Sequence, residues 1–165
     1  MTLVITKIGN WVAAETKLAA IGGLVMSSAV YGQRNAAEKL VAIVRGHIDH
    51  QDLGWPAVLQ DSGDPRILVD SELYRNSIKA WKSGTVYYAG VPTSVKYPKG
   101  NRVSDVAIMH EFGTNRMVER PLWGPSIKEL GGSKGVRKIV AGAIASKIVK
   151  LRAAGFSVNK GGYGT

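Results

Sequence analysis

Apolar residues return every third or fourth position in two parts of this chain and alternate in a third, and these periods predict most of its elements. From Asn35 to Ile48 the stripe is Leu40, Val41, Ile43, Val44 and Ile48, with Glu38, Lys39 and Arg45 mostly outside it. That is the pattern of an amphipathic helix. Upstream, Thr6 to Tyr31 has few helix breakers apart from Gly22 and Gly23. The two stretches are either separate helices or one long helix bent near Gly32. The clearest stripe is C-terminal: Val136, Ile139, Val140, Ala143, Ile144, Ile148 and Leu151, with Lys134, Arg137, Lys138, Lys150 and Arg152 mainly off it.

The middle of the chain reads differently. Between Gln51 and Asp70 the Gly-Trp-Pro and Ser-Gly-Asp-Pro runs are turn chemistry. Ser71 to Asn76 suits a helical turn. A hairpin follows, "SIKAW" and "TVYYAGV" joined by "KSG", with β-branched and aromatic residues flanking a glycine connection. Val91 to Arg102 holds two prolines, a glycine and three basic residues, and is expected as an exposed loop ordered by a partner. Ser104 is a candidate N-cap for a short helix, Asp105 to Glu111, which Gly113 would end in a left-handed conformation. Gly131 and Gly132 close the next short helix.

These elements predict one α+β domain over residues 1–155: a small antiparallel sheet packed by a long N-terminal helical region and a C-terminal amphipathic helix. Residues 156–165, "FSVNKGGYGT", carry no packing pattern and are expected to be flexible or bound to a partner. No internal repeat is present.

Composition narrows the function. The absence of cysteine excludes disulfides and thiolate metal sites. The apolar stretch Leu18 to Tyr31 falls short of the ~20 residues of a spanning helix and contains a Gly pair and a Ser pair, so no membrane role is expected. A secretory leader is disfavoured too, because Glu15 precedes the apolar run. The chain has 22 Lys and Arg against 12 Asp and Glu, a formal net charge of +10, which favours anionic partners.

Candidate catalysis is thin. "HEFGT" begins like a zinc-protease helix, but that motif needs a second histidine four residues on, and position 114 is Thr. His47 and His50 could share a helix face with Asp49 or Asp52 nearby, without a third ligand apparent from sequence. Phosphate-loop and dinucleotide motifs are both missing. We therefore expect no enzyme, no cofactor and no metal. Lys96, Lys99 and Arg102 in the loop, with Lys134, Arg137, Lys138, Lys150 and Arg152 on the last helix, are candidate contacts for an anionic partner such as DNA. The plainer alternative is a solvated basic face.

Three blocks carry a resemblance. "ILVDSELYRNSI" is similar to a Leu-Val-Asp-x-Gly-x-Leu-x-x-Ser-Ile run, which marks Ser77. "VAIMHEFGT" resembles an apolar helix ending in Glu-Phe-Gly-Thr. "ERPLWGPSIKEL" resembles an Arg-Pro-Phe-Leu-x-Pro segment before a terminal helix. In this order they resemble the phage tail-completion family, virion-morphogenesis proteins of the head–tail junction that are also described as minor tail components. The chain departs from that pattern at Glu72, where the family has Gly, and at Leu122, where it has Phe.

The resemblance implies a non-catalytic structural protein that forms a cyclic homo-oligomer, six copies by analogy, at the head-proximal end of the tail. It implies neck or connector proteins and tail-tube or tail-terminator proteins as neighbours, and DNA in the channel. The setting would be the virion tail or neck, and the host cytoplasm during assembly. Glu111, Phe112, Gly113, Arg120, Pro121, Leu122 and Trp123 are the candidate assembly residues. We expect Glu111 and Arg120 to form a partly buried ion pair fixing the Gly113 turn; the alternative is two separate surface charges. Phe112 is expected in the core and Trp123 as an anchor between subunits. A free, sequence-independent nucleic-acid-binding protein is the competing reading, and a metal-dependent hydrolase using His47, His50 and His110 the third.

Overall fold

The computed structural model describes residues 11–55, 72–115 and 117–153, with side chains from residue 19 onward in the first segment. The expected turns at 56–70, the start of the first resemblance block at 67–71 and the tail at 156–165 lie outside the described residues.

One helix, α1 (Trp11–His50), organises everything else. Its 40 residues make a rod of about 60 Å. The two-helix alternative is overturned, and the chain does not break at Gly32. That glycine serves a different purpose: a Cβ there would lie 2.7 Å from the Cα of Val140 and 3.2 Å from the Ala143 side chain. Its missing side chain lets the last helix, α5 (Gly132–Ala153), cross α1 in near backbone contact.

The pairing of α1 with α5 is antiparallel. Val136 shares a groove with Ala36 and Leu40, Val140 meets Gly32, and Lys147 and Lys150 share a second groove with Ser27 and Ser28.

Between these helices come α2 (Leu73–Ser77), the hairpin β1 (Lys79–Ser83) and β2 (Val86–Gly90), α3 (Val103–Phe112) and α4 (Trp123–Glu129). The hairpin is a two-stranded antiparallel sheet in which Ala80 faces Ala89 and Trp81 faces Tyr88. The turn falls at Gly84 and Thr85, two residues later than the sequence pattern places it, and β1 correspondingly starts at Lys79. Two strands with open edges are marginal alone. Here the Ala80–Ala89 face packs on the core while Trp81 and Tyr88 stack on the other, their rings 5.6 Å apart.

The core is compact and lies at one end of α1. Val41, Val44 and Ile48 meet Tyr74, Ile78, Val103, Ala107 and Leu122. Polar clamps flank it. Arg75 grips the Asp49 carboxylate with two bonds of 2.5 and 2.6 Å, holding that carboxyl below its ordinary range. Arg45 donates to the Ile78 carbonyl at 2.6 Å. The loop after β2, expected to wait for a partner, is closed by its own bonds: Tyr97 N–H to the Asn101 carbonyl and Val103 N–H to that of Val95. Val95 and Tyr97 pack against the core beneath it. The fold is thus α+β, helix-rich, with a small antiparallel sheet against a long N-terminal helix.

Candidate functional site

The best-built feature outside the core is the corner from α3 to α4, Val103 to Glu129. The helix α3 begins at Val103, with Arg102 rather than Ser104 at its N-cap; the Ser104 hydroxyl turns to the Asp105 carboxylate instead. It ends at Gly113, whose φ of 69° and ψ of 179° belong to a region that is essentially glycine-only. Space adds a second reason for glycine. A Cβ would stand 3.0 Å from both the Glu119 amide nitrogen and the Met117 carbonyl.

Beyond Gly113 the chain reverses in a tight turn closed by Thr114 and Met117, which exchange backbone bonds of 2.8 and 3.2 Å. It then folds back, and the Arg120 N–H donates to the His110 carbonyl at 2.6 Å.

The key contact is made by Glu111. Its carboxylate accepts the N–H groups of Leu122, Trp123 and Gly124 at 2.7, 2.9 and 2.9 Å. These are the amides at the start of α4, which have no partner within their own helix. Leu122 occupies the N-cap and has no side-chain acceptor. A neighbouring helix therefore supplies a carboxylate cap, the sign of charge that a helix N-terminus prefers.

The expected Glu111–Arg120 ion pair does not form. Three converging amides hold both carboxylate oxygens toward the start of α4 instead. Arg120 lies half-buried near His110, with its Nε buried and without a hydrogen-bond partner. Burial, with the Arg120 charge as the lesser cause, lowers the His110 pKa from 6.5 to about 4. His110 is thus a neutral ring packed 6.3 Å from that of Tyr74. The Tyr74 hydroxyl is itself buried, and desolvation pushes its pKa up to about 12.

One further expectation is reversed: Phe112, expected in the core, is 76% exposed. Trp123, expected as an anchor between subunits, is half-buried against the core and keeps part of its surface open. Leu122 takes the plug position and is 1% exposed. The carbonyl of Pro121 accepts the Trp55 indole N–H at 3.0 Å. Ser77 is buried, and its hydroxyl donates to the Leu73 carbonyl one turn back in α2.

What the sequence reading missed is a ridge. Ile108, Met109 and Phe112 stand exposed on α3, with Val118 exposed on the connection after it. At roughly 100° per residue these three lie opposite Val103 and Ala107, the buried face. The signal was available, because "VAIMHEF" carries apolar residues on two opposite stripes and a short helix can bury only one. A second apolar feature is a groove of about 340 Å³ lined chiefly by Ala36, Ala37, Leu40, Val86, Ala89 and Val136.

The histidines have separate partners. His47 bonds Asp52 at 2.6 Å and faces Glu129 at 3.1 Å, His50 is exposed, and Asp49 is committed to Arg75. Among the described residues no three His, Asp or Glu side chains converge as a metal site. None of the described helices is long and apolar enough to cross a membrane. Lys96, Lys99, Arg102, Lys134, Arg137, Lys138, Lys150 and Arg152 are all exposed, and none is ion-paired within the described chain.

Compared with known proteins, the chain matches no family model, no curated protein and no solved structure.

Proposed function

We propose that this chain is a structural, non-enzymatic component of a tailed phage particle, a tail-completion or neck protein that assembles into a ring at the head–tail junction. The observation that carries the assembly part is the exposed ridge of Ile108, Met109, Phe112 and Val118 on a corner pinned by Glu111. Large apolar side chains left exposed on one helix face are a mark of interaction sites. The virion part rests on the resemblance of the three sequence blocks, whose motif letters include Glu111, Gly113 and Arg120 of that same corner.

A ring needs one heterologous contact repeated, with different surfaces on the two sides. The ridge and the Ala36–Leu40–Val86 groove share no residue and are both apolar, so one can serve as knob and the other as socket. These four side chains are 46–76% exposed, so burying what remains open is worth roughly 4–7 kcal/mol. Association costs about 4–15 kcal/mol. A single contact is therefore weak, and a closed ring, in which every subunit makes two, is favoured over an open pair.

Sedimentation velocity of the purified chain, with negative-stain micrographs, tests this reading. The expected result is a ring of several copies, six by analogy, and monomers for Phe112→Glu. A wild-type chain that stays monomeric at tens of micromolar contradicts it.

A further inference from the structure

The distal part of the α1–α5 pair holds a second feature that ring assembly does not use. An open groove of about 300 Å³ runs between Ser27, Ser28 and Tyr31 of α1 and Ser146, Lys147 and Lys150 of α5. No carboxylate lines it. The Tyr31 and Ser146 hydroxyls and both ammonium groups have no partner within the described chain, so four donors point to no internal acceptor. Ser27 and Ser28 currently donate to the Leu24 carbonyl at 3.0 and 2.7 Å, and a hydroxyl turns readily toward another acceptor.

The surrounding charge points the same way. Over Gly132–Ala153 the helix has six Lys and Arg and no Asp or Glu. Ordinary solvated helices mix both signs, which lets neighbouring side chains neutralise each other. This one leaves its cations uncompensated, and two of them flank a hydroxyl-lined groove.

We propose that this groove is a phosphate-binding site. Lys147 and Lys150 neutralise the charge, and the Tyr31 and Ser146 hydroxyls donate to the phosphate oxygens. The group comes either from the backbone of a nucleic acid, tracked along the remaining α5 cations, or from free phosphate. The site lies within one subunit, so it stands or falls independently of ring formation.

The test uses the full chain and three paired variants. Lys147→Gln/Lys150→Gln removes the groove cations. Lys134→Gln/Lys138→Gln removes the same charge about 14–24 Å away along the helix. Tyr31→Phe/Ser146→Ala removes only hydroxyls. Binding of a labelled 20-base-pair mixed-sequence duplex is followed by fluorescence anisotropy across a salt series, and binding of inorganic phosphate by calorimetry.

For a nucleic-acid source, the groove-lysine variant loses about tenfold or more in duplex affinity, and its log–log salt slope shrinks by about two. The distant pair loses clearly less, and the hydroxyl pair loses affinity with the slope unchanged. For a free-phosphate source, inorganic phosphate binds the wild type without duplex binding, and both groove variants abolish it. Equal losses in the two lysine variants, an unaffected groove variant, or no binding of either ligand overturns the proposal.

Discussion

The two halves of α1 live in different environments. From Ala36 onward the helix buries Ala36, Ala37, Val41, Val44 and Ile48 under the hairpin, α2, α3 and the Leu122 corner. Before Gln33, only Ser28 and Gly32 are buried among the described side chains, and α5, which lies along that half, buries none of its residues. Met26 and Tyr31 on α1 and Val149 on α5 remain 66, 59 and 63% exposed. Two helices touching through small residues have one seam each, whereas a core needs a third layer. The stability of this protein therefore resides in the body around Val44 and Ile78. The helical pair contributes length and charge.

The sharpest way to break this contrast is a matched pair of truncations. Leu122→Ala, at a fully buried position, should cost about 2–5 kcal/mol. Ile148→Ala, 38% exposed on the outer helix, should cost roughly 0.5 kcal/mol, in line with surface substitutions. Chemical denaturation of both variants reads the difference, and equal losses would mean that the helical pair shares the core's stability.

Next in size is the corner. Glu111→Ala removes the cap from three amides and should cost roughly 2–3 kcal/mol. An ion pair would make Arg120→Gln comparably harmful. Because the guanidinium makes no bond to Glu111, the Arg120 change should instead cost under about 1 kcal/mol. It should also raise the His110 pKa from its value of about 4, as followed by NMR titration.

A smaller effect comes from His110 itself. Its folded-state pKa, about 4, lies below the ordinary 6.5, so the unfolded chain takes up the proton first. Stability from this group is complete above pH 6.5 and drains away as pH falls toward 4. For a partly exposed ring the loss is on the order of 1–2 kcal/mol after solvent screening. Thermal melts at pH 7 and 4.5 should differ less in His110→Gln than in wild type. The lowered carboxyls of Asp49 and Asp52 act below 3.8, outside this window.

The smallest effect is a gain. Glu72 stands at the start of α2 with φ of 52°, a left-handed conformation that favours glycine. A side chain at such a φ has a physical cost. Glu72→Gly should stabilise by about 1 kcal/mol, seen as a raised melting temperature.

Periodicity made the helices, the hairpin and the Gly113 stop legible, because each is a local property of a few residues. Partner choice was not legible. Glu111 and Arg120 carry opposite charge and suit each other on paper, but the competing acceptor demand comes from backbone amides that have no letter in the sequence. The clue was a missing one: α4 opens with Leu-Trp-Gly-Pro and has no Ser, Thr, Asp or Asn to cap it. Phe112 lies outside the core for a related reason. An aromatic residue reads as core or surface alike until the direction of its helix face is known, and α3 has apolar residues on both.

The central claim is that the pinned corner presents a knob which a neighbouring copy receives in its groove. Mixing two variants tests it most directly. Phe112→Glu spoils the ridge and leaves the groove intact, while Val86→Glu, at a residue 47% exposed at the groove, does the reverse. In sedimentation equilibrium at high protein concentration, where even a single weak contact is populated, the account predicts monomers for each variant alone and a dimer, with no larger species, when they are mixed. Rings formed by either variant alone, or a mixture that remains monomeric, would contradict it.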